Sequence, residues 1–162
     1  LFLMLIAYRV VKIKRKDDAF SGEGARRAGG RWSSKGVQAV YAASTLSLAV
    51  LEILMHLEDA AMLDSYGFFA IRFPESIVET IPVAAIPRNW SESPIPVETQ
   101  RVGDAWIRRN SSAVLAIPSA AFQNIPSGLA ETNYLLNPGH KDFGRIRIGA
   151  FRGLDLDPRL AK

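Results

Sequence analysis

With 162 residues, 48% of them hydrophobic, the chain is long enough for one domain with a real core and too short for two independent ones. It has no cysteine and only two histidines, His56 and His140, which excludes a disulfide framework and thiolate metal sites and leaves little for any metal centre; the composition suits a reducing cytoplasm. A net charge of +4 and a pI near 9.6 invite an anionic partner, with the charge densest at residues 12–16, at Arg26 and Arg27, and at Arg31.

The opening apolar stretch, residues 1–7, is too short to span a bilayer and lacks the basic start and small-residue cleavage site of a signal peptide, so it reads as core strand. The first residue is Leu1 rather than Met, so a trimmed or alternative start is expected. Residues 3–13 have the β-branched, apolar character of a strand, and the glycine-rich residues 22–30 read as a loop able to wrap a ligand. A short strand is predicted over 37–42. Ser44 is then the expected N-cap of a helix running to about residue 57. Leu46, Ala49, Val50, Ile53, Leu54 and Leu57 form its apolar stripe at i, i+3, i+4 spacing. Glu52 falls off that stripe beside Thr45, Leu48, Met55 and His56, and this second face is itself partly apolar, which puts a carboxylate on the wall of a pocket. Further strands are predicted over 66–73, ended by Pro74, and over 113–117, stopped by Pro118 and Ser119. The proline-punctuated residues 82–96 read as irregular, 97–110 as a helix weakened a little by Gly103, 132–140 as turn-rich, and 145–151 as a half-exposed strand. Strands and helices mix without a regular βαβ period, so the fold class is α+β.

Glu52 is the only charged side chain in an apolar and small-residue run, residues 44–57. An ionised carboxylate there needs a partner, a hydrogen bond or a cation forming nearby. Arg31, Tyr41 and Glu52 recur at spacings of ten and eleven, a trio that suggests a site for an anionic ligand. Arg31 sits after Gly29 and Gly30 and before Trp32; glycines let backbone amides approach phosphate and guanidinium contacts its oxygens in pairs, although a salt-bridged surface arginine would read the same. Tyr41 is either core packing or a platform for a flat heterocycle. Ser119 could simply start a turn, and Asn133 and Asn137 could simply cap one. His56 reads as a helix-end residue. The fingerprints of Rossmann, P-loop, zincin and α/β-hydrolase chemistry are absent from the sequence.

Taken together, Tyr8-Arg9, Gly30-Arg31-Trp32, residues 40–43, Leu51-Glu52, Pro118-Ser119, residues 133–138 and residues 157–160 resemble the RES domain, the toxin half of RES/Xre toxin–antitoxin pairs. The letters R, E and S have counterparts in Arg31, Glu52 and Ser119, with Arg31 chosen over Arg9. The resemblance implies a compact fold similar to ADP-ribosyltransferase toxins and an activity that consumes NAD by breaking its nicotinamide–ribose bond. It implies that Glu52 stabilises the oxocarbenium-like charge, that Arg31, with Arg9, holds the pyrophosphate, and that Tyr41 stacks on nicotinamide. Ser119 and Asn133 then bond ribose or phosphate, with Trp32 and Asn137 as further NAD contacts and no metal. The ADP-ribose acceptor stays open among a protein side chain, phosphate and water. A helix-turn-helix antitoxin of Xre type blocking the pocket, and self-pairing of the toxin, are also implied. The rival from another class is a toxin directed at nucleic acid, a ribonuclease or a binder, motivated by residues 12–16; ribonuclease acid–base chemistry would most naturally use a histidine pair, for which His56 and His140 are poorly placed. An interaction module without catalysis is the third reading.

Overall fold

A computed structural model describes residues 3–126 and 128–161. Eleven elements organise them: β1 (Met4–Lys12), α1 (Glu23–Ala28), β2 (Val40–Ala43), α2 (Leu46–Leu54), β3 (Tyr66–Pro74), β4 (Val78–Thr80), α3 (Val97–Arg109), β5 (Val114–Pro118), β6 (Thr132–Leu136), β7 (Arg147–Ile148) and β8 (Arg152–Gly153). The strands join in one sheet of order β4-β5-β6-β2-β1-β3-β7, with β8 also paired to β3. All pairings are antiparallel except β4 with β5, whose parallel crossover is made by α3. The fold is α+β, as the sequence indicates.

Strand alternation distributes the apolar side chains between two faces. Ala7 and Val11 of β1, Phe69, Ile71 and Phe73 of β3, Val40 and Ala42 of β2 and Leu136 of β6 share one core, closed by Ala19, Phe20, Phe143 and Ile146. On the other face two smaller clusters lie side by side. Tyr8, Val10 and Ala43 pack under Leu48 and Ala49 of α2. Leu115, Ile117, Leu135 and Tyr41 pack under Trp106 and Val102 of α3 together with Trp32. The register sets Asn133 of β6 opposite Ala43 on one side and Ile117 on the other, where the two clusters meet.

Several boundaries differ from the sequence reading. Residues 22–30 contain the short helix α1 rather than a continuous loop, closed by an Arg26 to Glu23 ion pair at 2.8 Å. Thr45, not Ser44, caps α2: its Oγ1 accepts from Leu48 N at 3.1 Å, while Ser44 Oγ accepts from Thr132 N. The helix ends at Leu54, three residues early. Leu3, Met4 and Ile6 are exposed, so the N-terminal stretch is not core strand until Ala7; residues 1 and 2 lie outside the described residues. Residues 132–136 are not a turn but the interior strand β6, because their backbone pairs with β2 on one side and β5 on the other. The strand expected over 145–151 contracts to the two-residue β7. The short β4 is legible only through its pairing with β5.

Candidate functional site

Glu52 stands one turn beyond buried Leu48, on the side of α2 that borders the seam between the two clusters. Its Oε1 accepts hydrogen bonds from Ser119 Oγ and, at 2.7 Å, from Asn133 Nδ2. Ser119 Oγ accepts in turn from Ala121 N at 3.1 Å, which directs the hydroxyl proton toward Glu52. Residues 67 and 81 positions apart from Glu52 are thereby gathered on one oxygen. Both donors are buried, and charge-assisted bonds of this kind are the strong ones. Among the described residues Glu52 Oε2 accepts no hydrogen bond and Glu52 joins no ion pair. Asn133 Oδ1 is buried without a partner, an acceptor directly beside the carboxylate.

Arg31 lies in a tight hairpin closed by Gly30 N to Ser33 O at 2.8 Å. Gly30 is required there: a Cβ would meet the Tyr41 hydroxyl at 2.5 Å. That hydroxyl accepts from Trp32 N at 3.0 Å and bonds Ser33 Oγ at 2.8 Å. Burial pushes Tyr41 up to about 12, so it is a neutral hydrogen-bonding group at physiological pH. Arg31 Nη1 donates to Trp90 O at 2.7 Å and Glu92 O at 2.9 Å, both from the proline-punctuated segment, and Trp32 stacks on Trp90 with ring centroids 6.1 Å apart. Partial burial lowers the Arg31 pKa, opposed by the negative charge of Glu52 and then by Tyr41. Arg31 therefore feels Glu52 electrostatically while forming no ion pair with it.

The remaining sequence candidates sit elsewhere. Arg9 lies on β1 between Ala7 and Val11, on the face away from α2; its Nε donates to Ala19 O at 2.6 Å, its Nη1 to Tyr41 O at 2.8 Å, and its guanidinium rests 5.9 Å from the Phe20 ring centroid. Burial lowers its pKa to about 10, with Asp18 opposing. Trp32 is 2% exposed and belongs to the α3 cluster. Asn137 Nδ2 donates to Asn110 Oδ1 at 3.0 Å and its Oδ1 accepts from Gly139 N at 3.1 Å, fastening the left-handed end of α3 to the turn after β6. His56 lines a separate cavity of about 400 Å³ with Lys12, Ile53, Leu57, Glu58, Met62 and Tyr66. His140 is a buried cap whose Nδ1 accepts from Asp142 N. Among the described residues no group of three His, Asp or Glu is placed to hold a metal, and no helix is long and apolar enough to cross a membrane. Sequence reasoning missed Trp90 and Glu92, whose backbone carbonyls hold Arg31 and leave no trace in side-chain type, and the stacking of the Trp90 ring on Trp32. It also missed Asp104, which shares its helix with Glu98, Arg101, Arg108 and Arg109 and so does not stand out by residue type.

Residues 6–157 match the RES domain family. The chain is 37% identical to the protein named Toxin Res of Photorhabdus laumondii over 98% of both chains, and 37% identical to Toxin Res of Yersinia enterocolitica over 96% of this chain and 99% of that one. It is 33% identical to the Prs ADP-ribosylating toxin of a Sphingobium species, covering 90% and 88%. The toxin–antitoxin complex MbcT–MbcA of M. tuberculosis contains a chain of similar fold, with a TM-score of 0.72 at 22% identity over 99% of this chain and 88% of that one.

Proposed function

The chain belongs to the RES domain family of toxins, and on that footing we propose that it cleaves the nicotinamide–ribose bond of NAD and transfers ADP-ribose to an acceptor. What carries the reading is a carboxylate pinned at one oxygen by two buried donors, with the other oxygen unengaged among the described residues. Breaking the glycosidic bond develops positive charge on the ribose, and a carboxylate already oriented by Ser119 and Asn133 stabilises that charge without reorganising. Arg31, held by two carbonyls through Nη1, offers its remaining N–H groups to phosphate oxygens. The unpartnered Asn133 Oδ1 suits a ribose hydroxyl or an amide N–H of the substrate. Tyr41 acts on this reading by holding the Arg31 hairpin as well as by its ring. Arg9 supports Tyr41 through its carbonyl, and Asn137 supports the end of α3. Trp32 contributes by fixing the neighbouring arginine.

The partner we propose is a cognate antitoxin of Xre type covering the Glu52 site, in the cytoplasm where NAD is met, with self-pairing of the toxin as a further contact. Nicotinamide release from NAD by the purified chain freed of antitoxin, with Glu52→Gln alongside, tests the reaction. The substitution should lower the rate about 100-fold or more. Dependence of the wild-type rate on added phosphate, or labelling of a lysate protein, identifies the acceptor, and neither leaves water. No release in any arm overturns the NAD reading and brings nucleic-acid cleavage forward.

A further inference from the structure

The hairpin that carries Arg31 is gripped by the buried face of α3. Asp104, 7% exposed, accepts from Ser34 N at 2.9 Å and from Ser34 Oγ at 2.6 Å. One turn earlier Gln100 Nε2 donates to Gly30 O at 3.0 Å and to Ser33 O at 3.3 Å. Between them Gly103 lets the helix approach so closely that a Cβ there would meet Trp32 O at 1.7 Å. Positions 100, 103 and 104 lie on one helix face, and their contacts fall on both sides of Arg31. From the sheet, the Tyr41 hydroxyl takes Trp32 N. The backbone on either side of Arg31 is thus tied, while its side chain is held by Trp90 O and Glu92 O.

The choice of residue is informative. Burying a carboxylate beside Val102 and Trp106 is costly, and packing alone would be met better by an apolar side chain. Asp104 recovers that cost through two donors from a single hairpin residue, and it joins no ion pair among the described residues. Its charge also opposes ionisation of Tyr41. We infer that Asp104, seconded by Gln100, is a positioning residue that fixes the hairpin carrying Arg31, the arginine assigned above to the phosphates of NAD. This inference rests on the NAD reading.

The test compares the whole chain with Asp104→Ala, Asp104→Asn, Ser34→Ala and Arg109→Ala by thermal melting, by KM and kcat for NAD, and by near-UV circular dichroism of the Trp32–Trp90 stack. Asp104→Ala should raise KM roughly 10- to 100-fold, the scale of a misplaced binding group, with a much smaller change in kcat. Asp104→Asn, which keeps an acceptor for Ser34 N, and Ser34→Ala, which removes only the hydroxyl bond, should each raise KM about 3- to 5-fold, less than the alanine variant. These two carry the test if the alanine variant does not fold. Arg109→Ala breaks the 2.9 Å pair with Glu79 at the far end of α3 and should lower Tm without moving KM. An equal rise in KM from Arg109→Ala, or an unchanged KM and indole signal in both Asp104→Asn and Ser34→Ala, overturns the inference. Wild-type protein inert toward NAD, with an indole signal altered by Asp104→Asn, would sink the functional reading while upholding the hairpin's dependence on Asp104.

Discussion

Replacing Gly103 by alanine drives a methyl group into the backbone of the Arg31 hairpin. The new Cβ would lie 1.7 Å from Trp32 O, 2.7 Å from Trp32 C and 3.2 Å from Trp32 Cβ. The first two are main-chain atoms, which cannot rotate aside as the end of a side chain can. The helix and the hairpin must part by more than about 1 Å to restore ordinary contact. Helix propensity alone favours alanine by about 1 kcal/mol. Against it stand a packing cost of about 1–3 kcal/mol and the loosening of the Asp104 and Gln100 bonds, each worth about 0.5–3 kcal/mol. The steric side wins, and a net loss of roughly 2–4 kcal/mol lowers Tm by roughly 5–15 °C in a chain of this length. Displacing the hairpin by that distance should also raise KM for NAD about tenfold or more. Differential scanning calorimetry and an NAD titration read both effects, with Gly24→Ala on α1 as the control, since nothing lies within 4 Å of a Cβ there. A Gly103→Ala protein with unchanged or raised Tm and unchanged KM would refute the reasoning, because propensity would then have outweighed a contact that α3 does not in fact enforce.

Other substitutions probe the same construction. Ser119→Ala and Asn133→Leu each remove one donor to Glu52 Oε1, and each should lower kcat for nicotinamide release about 10- to 100-fold, with KM little changed in Ser119→Ala and raised in Asn133→Leu, which also loses Oδ1. Thr45→Ala removes the cap of α2 and should cost about 1 kcal/mol in denaturant unfolding, a loss that Thr45→Ser restores. Arg9→Met leaves Ala19 O and Tyr41 O without their donor, so melting should fall by several degrees, at about 2–4 °C per kcal/mol, and by more than KM changes; the reverse ordering would make Arg9 a ligand contact. Tyr41 holds its proton to about 12 in the fold against 10.0 when unperturbed, so its contribution to stability is complete below pH 10 and declines as pH rises toward 12. Stability measured across that window should fall less steeply in Tyr41→Phe, by up to about 1.4 kcal/mol per pH unit. Equal slopes would show that the hydroxyl is not shielded from water.

Local pattern was enough for what depends on neighbours in sequence. The 3.6-residue period marked α2 and α3, β-branched runs marked β1, β3 and β5, and one acid in an apolar stretch marked Glu52. Tyr41, Arg31 and Ser119 could be singled out by residue type, but not the bonds they make. Tertiary structure decided those bonds, since they join positions tens of residues apart and depend on which face of the sheet each strand presents. One residue of alternation sends Arg9 to the face away from α2 while Tyr8 and Val10 pack beneath that helix. Pairing with β2 on one side and β5 on the other turned an amide-rich segment into the interior strand β6 and delivered Asn133 to Glu52. Gly103, which weakens a helix in isolation, is what admits the Arg31 hairpin to α3. The sequence by itself determined the two longer helices, most of the strands and the singularity of Glu52 in its run; only long-range packing decided which donors grip Glu52 and what holds the Arg31 hairpin, because contacts between distant segments leave no period in either one.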